Sequence, residues 1–253
     1  MKRINIIFYI SIFKRASMVL AIIMTLQACK KDKCFKSTGK ITTEERTLGD
    51  FREIILSGNI NLYIKQDSMN SVTIEAGANL IPNIVTDVES GVLTIRNDNT
   101  CNWLRSFKKE INLYLHCRNL YYIEYKGAGN ITGLNTIVSD TVQLDLINGS
   151  GTITLDVRCR SVRINLSTGC GDAEITGTTQ SAIYYIRGTG AIRCSGLNAE
   201  YVYFDEKGTN DCYLNSSGEL DGIIGYIGNV YYAGHPSVIN VQVTERGKLI
   251  PLD

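Results

Sequence analysis

Six carboxylates are spread through the second half of this 253-residue chain, at Asp145, Asp156, Asp172, Asp205, Glu206 and Asp211. Polysaccharide-cleaving β-helix enzymes project acids in this way from neighbouring coils. A pair at the right separation could also hydrolyse a glycoside, one acid protonating the leaving oxygen and the other acting as base or nucleophile. Asp145, however, shares an outward position with Asn165, which favours solvated decoration over catalysis. His116 and His235 are the only imidazoles. The chain holds no Gly-x-Ser-x-Gly and no His-Glu-x-x-His, so the usual signatures of a serine hydrolase and a zinc peptidase are missing. It has no Gly-x-Gly-x-x-Gly and no Cys-x-x-Cys either. No catalytic residue, cofactor or metal site is predicted, and ligand-binding residues are left open.

Tyrosine is the more suggestive residue type. The chain has 14, among them Tyr184, Tyr185, Tyr231 and Tyr232. An aromatic face on a sheet can stack on a sugar ring, while the hydroxyl stays hydrated. Strand alternation puts Tyr184 and Tyr185 on opposite faces, so at least one points outward. The competing expectation is that many of these rings fill the core or screen strand edges.

The elements that would position these groups are written as a repeat. The phrases Gly127-Ala-Gly129-Asn-Ile131, Gly149-Ser-Gly151-Thr-Ile153, Gly169-Cys-Gly171-Asp-Ala173 and Gly188-Thr-Gly190-Ala-Ile192 recur every 19 to 22 residues. Weaker copies stand at Gly208-Thr-Asn210, Gly228-Asn-Val230 and Gly247-Lys-Leu249. A period in this range marks stacked coils. Alternating runs such as Val142-Gln-Leu-Asp-Leu146 and Val162-Arg-Ile-Asn-Leu166 precede the phrases and read as half-buried strands. The predicted fold is all-β, a parallel β-helix or β-solenoid with coils of about 20 residues. Gly129, Gly151, Gly171, Gly190 and Gly228 are its corner glycines, expected to reach positive φ without a Cβ clash. Asn210, which tolerates left-handed backbone, would keep the corner of its own coil. Residues 79–88 are the one plausible helix, with Pro82 in its first turn.

Eight cysteines lie at 29, 34, 101, 117, 159, 170, 194 and 212. Cys101 and Cys117 bracket a short loop that a disulfide could close. Cys194 aligns with Leu155, Ile175 and Leu214, and Cys212 with Ile131, Ile153 and Ile192, which predicts small buried residues.

Residues 1–28 read as a signal peptide. Lys2, Arg3, Lys14 and Arg15 precede an apolar run, Met18 to Leu26, that is too short to span a bilayer. Leu26-Gln-Ala-Cys29 resembles a bacterial lipobox, in which the cysteine becomes the lipidated N-terminus. An ordinary cleaved signal with an incidental cysteine is the rival reading. The expected organisation is a signal peptide at 1–28, a lipidated tether at 29–45 and a solenoid at 46–253, with a candidate lobe boundary near 118–126. Cys29 would then anchor the protein in the cell envelope, most simply the outer membrane, with the periplasmic or surface side left open. Residues 1–28 hold four basic and no acidic groups, so their removal leaves 22 basic against 25 acidic, net −3. A chain with that balance has no excess of basic charge for nucleic acid.

The residues Phe51-x-x-Ile54, Ser57-Gly-Asn-Ile-Asn61, Gly91-Val-Leu-Thr-Ile95, the serial Gly-x-Gly-x-Ile phrases and Tyr231-Tyr-Ala-Gly-His-Pro236 together make a recognisable pattern. It resembles the head GIN domain adhesins, a family of bacterial surface proteins common in Bacteroidetes, over roughly residues 46–250. The resemblance implies a β-solenoid with an adhesin-like role, binding a glycan or another surface protein, and brings no catalytic residue with it. A polysaccharide-cleaving enzyme and a periplasmic structural or lipid-handling module stand as the alternatives.

Overall fold

The computed structural model describes residues 37–99 and 110–252. The described residues from Thr38 onward belong to one compact unit. Its first strands are β1 (Ile41–Thr47), β2 (Glu53–Gly58), β3 (Asn61–Gln66), β4 (Ser71–Gly77), β5 (Ile84–Glu89), β6 (Val92–Asn97), β7 (Asn112–Cys117) and β8 (Tyr122–Gly127). There follow β9 (Ile131–Gly133), β10 (Ile137–Val138), β11 (Thr141–Gly149), β12 (Thr152–Gly169), β13 (Asp172–Ile186) and β14 (Ile192–Arg193). The last are β15 (Leu197–Glu206), β16 (Cys212–Ile224), β17 (Val230–Ala233), β18 (Val238–Val243) and β19 (Leu249–Pro251).

The strands form a parallel β-solenoid of about 6 turns with coils of about 20 residues. Two long ladders run along it. The first sheet passes from β6 through β2, β8, β11, β12, β13, β15 and β16 to β18, all parallel. The second passes from β7 through β3, β9, β12, β13, β14 and β16 to β17 and β19. The strands β12, β13 and β16 serve both sheets because they bend from one to the other. A narrow third ladder at the bends joins β10, β12 and β13 to β15.

The apolar side of each strand lines the interior in register. One column of the first sheet reads Ile54, Ile123, Leu144, Ile164, Tyr184, Phe204, all at most 1% exposed. The next residue in that column is Gly222, and a Cβ there would stand 2.7 Å from the Phe204 ring. A large ring is thus accommodated by deleting the side chain above it, as close packing requires. The matching column of the second sheet is Leu62, Ile131, Ile153, Ala173, Ile192, Cys212, Val230. Cys194 and Cys212 are buried in this interior as expected, and burial pushes the Cys194 thiol up to about 12.

The N-terminal end departs from simple coiling. The chain first lays down β2 and β3, then builds β6 and β7 beneath them, and returns above with β8 and β9. Antiparallel strands close this end: β5 pairs with β6, β4 with β7, and β1 with β4 over seven residue pairs. Residues 79–88 are not a helix. A single 3₁₀ turn, Ile81–Asn83, with Pro82 near its start, leads straight into β5. Antiparallel pairing with β6 satisfies six residues of β5 that a helix would have left facing an unpaired sheet edge. Within 118–126, β8 is paired on one side with β2 and on the other with β11, so the ladder passes through that segment. Cys117 is a buried free thiol, while its suggested partner Cys101 lies outside the described residues.

Candidate functional site

The six carboxylates do not converge. The five aspartates are each tied to a neighbouring coil, and Glu206 bonds only within its own. Asp145, on the outward side of the first sheet, accepts hydrogen bonds from the Tyr122 hydroxyl at 2.8 Å and Asn165 Nδ2 at 2.5 Å. Asp156 accepts from the hydroxyls of Thr136 and Thr176, one coil to either side. Asp205 takes Arg187 Nη2 at 2.5 Å, and Lys207 Nζ stands 3.3 Å from its other oxygen.

Asp172 and Asp211 belong to a ladder at the corners. The residue after the second glycine position of a phrase holds the backbone of the next coil. Asn61 Oδ1 accepts from the Asn130 N–H, and Asn130 Oδ1 from the Thr152 N–H. Asp172 Oδ1 accepts from the Ala191 N–H at 2.8 Å, Asp211 Oδ1 from Asn229, and Asn229 Oδ1 from Lys248. These acids satisfy N–H groups that the turning backbone would otherwise leave unpaired. A recurrence of Asn or Asp after the glycines was visible in the sequence, but its role required the register.

Glu206 faces the interior. It occupies the column Leu56, Tyr125, Leu146, Leu166, Ile186, Glu206, Ile224, and is fully buried. Its Oε1 accepts from the Gly208 N–H at 2.5 Å, while Oε2 has no hydrogen-bond partner. Burial raises its pKa to about 7. Farther up the column, Tyr125 solves the same problem with a neutral group. Its hydroxyl donates to the Gly129 carbonyl and accepts from the Gly151 N–H.

The corner glycines are close-contact positions. A Cβ on Gly129, Gly151 or Gly190 would overlap the carbonyl oxygen of Ile60, Gly129 or Gly171 below it. At Gly228 it would lie 2.5 Å from the Asn210 oxygen, and at Gly171 3.3 Å from that of Gly151. None of the five has a left-handed φ. That conformation falls instead on Gly169, with φ +88°, and on Gly177, with φ +110°. Glycine is needed at these corners because backbones approach closely rather than because of backbone handedness. Asn210 also lacks a positive φ; its exposed amide donates to the Thr189 carbonyl at 2.6 Å.

The tyrosines divide as alternation requires. Tyr184 is buried, and Tyr185 turns outward against Tyr203, with centroids 6.1 Å apart. On the outward side of the second sheet, Tyr63 stacks on Tyr114 at 5.0 Å near the capped end. Tyr213 stacks on Tyr231 at 4.9 Å toward the other end. Beside Tyr213 lies an open cleft of about 610 Å³, lined among others by Glu174, Arg193, Ser195, Asn210 and Asp211. It exists because β14 is only two residues long and is flanked by the small residues Ala191, Ser195 and Gly196. Among the described residues, no three His, Cys, Asp or Glu side chains stand close enough to hold a metal ion.

The acids brace the coils of a β-solenoid whose outward sheet faces meet solvent. The chain belongs to the family described as putative auto-transporter adhesin, head GIN domain, whose model matches residues 50–236. Membership points to a protein of the cell surface or envelope. A putative adhesin from Bacteroides fragilis has the same fold, with a TM-score of 0.78 and 22% identity, covering 84% of this chain and 97% of that one. A putative adhesin from Parabacteroides distasonis gives 0.67 at 19% identity, covering 85% and 98%. A putative lipid binding protein from the same species gives 0.62 at 19%, covering 86% and 98%. No curated protein matches the chain. Among the described residues no helix is long and apolar enough to cross a membrane.

Proposed function

We propose that this is a lipid-anchored, non-enzymatic protein of the bacterial outer envelope that recognises glycans through the outward side of its second sheet. The observation that carries the reading is a contrast in side-chain commitment. Asp145, Asp156, Asp172 and Asp205 are held by contacts between coils and Glu206 is buried in the interior, whereas the cleft beside Tyr213 presents Glu174, Arg193, Asn210 and one oxygen of Asp211 to solvent. Carbohydrate hydroxyls are read by such planar acceptors and donors, and aromatic rings cover the apolar face of a sugar. The core columns are filled by side chains, which gives no support to carrying a lipid tail inside the solenoid.

The anchor rests on the Leu26-Gln-Ala-Cys29 sequence, which lies outside the described residues. Replacing Cys29 with Ala is expected to move the protein from the membrane to the soluble fraction. An unmodified mature N-terminus at another residue, read by mass spectrometry, would remove the anchor from the proposal. For binding, the purified protein is incubated with a polysaccharide panel. Capture without new reducing ends or unsaturated products is expected. Cleavage that disappears in Asp145→Asn or Asp205→Asn would replace the binding reading with an enzymatic one.

A further inference from the structure

We infer that the cleft over β14 is a subsite for a neutral sugar ring, whose neighbouring hydroxyls donate to Glu174, Asn210 and Asp211. This rests on the glycan reading above and makes it specific in place and in chemistry. The cleft of about 610 Å³ falls within the roughly 300–1,000 Å³ range of small-ligand sites.

Several of its polar groups are already held in place. Arg193 Nη1 donates to Asp172 Oδ2 at 2.7 Å, and Asn210 Nδ2 donates to the Thr189 carbonyl at 2.6 Å. Asp211 Oδ1 accepts from both the backbone N–H and the side-chain amide of Asn229. The second Asp211 oxygen, the Asn210 oxygen and the remaining guanidinium donors of Arg193 are left for a ligand. The Glu174 side chain is exposed, and among the described residues no hydrogen bond or ion pair holds its carboxylate, which lies within electrostatic reach of Arg193. Groups fixed before binding lose little freedom when they bind, which favours recognition by a few polar contacts. Tyr213, stacked on Tyr231, forms an apolar wall at the same cleft.

The charge balance selects the sugar. Glu174 and Asp211 face one guanidinium, and Asp172 already pairs with that guanidinium. Carboxylate acceptors suit neighbouring hydroxyls, which donate, and a uronate or sulfated sugar would meet like charge. The backbone argues against an extended peptide. Strand β14 is paired with β13 on one side and β16 on the other, so no strand edge is open for an added strand.

The test uses the purified full chain, with neutral oligosaccharides and uronate or sulfated oligosaccharides offered on one array and titrated in solution. Ser195→Trp fills the dent from an exposed position, and Glu174→Ala removes an acceptor without breaking a described hydrogen bond or ion pair of its side chain. Thermal midpoints confirm that both variants fold. Neutral oligosaccharides are expected to bind, with affinity falling tenfold or more in Ser195→Trp and at least threefold in Glu174→Ala. Arg163→Ala, exposed on the first sheet, is expected to leave binding unchanged. Neutral-sugar binding that persists within twofold in Ser195→Trp overturns the subsite and leaves the glycan reading standing. So does a preference for uronate or sulfated sugars. Binding to no sugar at all overturns both.

Discussion

The two ends of the solenoid are finished in different ways. At the N-terminal end, β1, β4 and β5 run antiparallel to the strands they cover, and interior residues such as Val72 and Ile74 are fully buried. At the C-terminal end, β18 and β19 pair on one side only among the described residues, with β16 and β17. Ile239 and Val243 continue the interior columns of Leu220 and Ile224, yet they are 44% and 48% exposed. Stacked repeats depend on their neighbours to bury an apolar face, so a coil paired on one side only is held by half the usual contact. The same sequence pattern therefore carries different weight at the two ends. An alternating apolar column stabilises strongly only where another coil covers it.

The comparison breaks first on core truncation. Leu144→Ala, in the covered middle, is expected to cost about 2–5 kcal/mol. Val243→Ala, in the open coil, is expected to cost less than about 0.5 kcal/mol. Denaturant unfolding measures both, and equal costs would mean that the last coil is covered in solution.

Corner substitutions are next. Gly151→Val forces a side chain against the Gly129 carbonyl and the Tyr125 hydroxyl, between coils that cannot separate. It is expected to cost about 3 kcal/mol, the upper part of the overpacking range. Gly247→Val meets the Gly228 carbonyl in a coil free to lift, and about 1 kcal/mol is expected. Thr152→Val, beside the first corner, should shift the thermal midpoint less than either.

The column shared by Tyr125 and Glu206 offers a pH test. The Glu206 pKa is raised from 4.5 to about 7 by burial, so the folded state prefers the protonated acid. Its contribution is fully present below pH 4.5 and is lost as pH rises through 7. Linkage puts the loss at about 3 kcal/mol. Glu206→Gln is expected to flatten that part of the stability profile, measured by melts between pH 4 and 8. A wild-type profile that rises over this range would contradict the burial of a neutral acid.

The smallest expected effect is local. Amide hydrogens of β18 should exchange faster than those of β4, without any change in global stability. Similar protection in both strands, measured by mass spectrometry, would show that the open end is closed in solution.

The coiled half was legible because the period-two alternation and the glycine period agree in runs such as Val142–Leu146, Ile153–Val157 and Val162–Leu166. The N-terminal half was not, because the order of stacking there departs from the order of the chain. Nothing local to Phe51–Ile64 reveals that β6 and β7 will slide beneath it. Residues 79–88 misled because Asn-Leu-Ile-Pro-Asn imitates a helix start, while the need to pair with β6 is felt only in three dimensions. The acids misled in the opposite direction. Asp145 and Asp156 carry the residue type of catalysis, but partners about 20 residues away, such as Asn165 and Thr176, occupy them as braces. The cleft was hidden for another reason. It arises from a strand that stops after Ile192-Arg193, a shortening that leaves no motif.

The contact between each corner glycine and the carbonyl beneath it fixes the coil as a unit of reach. One added coil lengthens the scaffold by about 4.8 Å, the spacing between neighbouring strands, and displaces nothing sideways. Change in length is therefore quantised. An insertion of a whole coil between Gly151 and Gly171 could be absorbed, while one of half that length would set every later glycine beneath a side chain. A solenoid can therefore differ in length from its relatives by whole coils while every remaining corner keeps its contact.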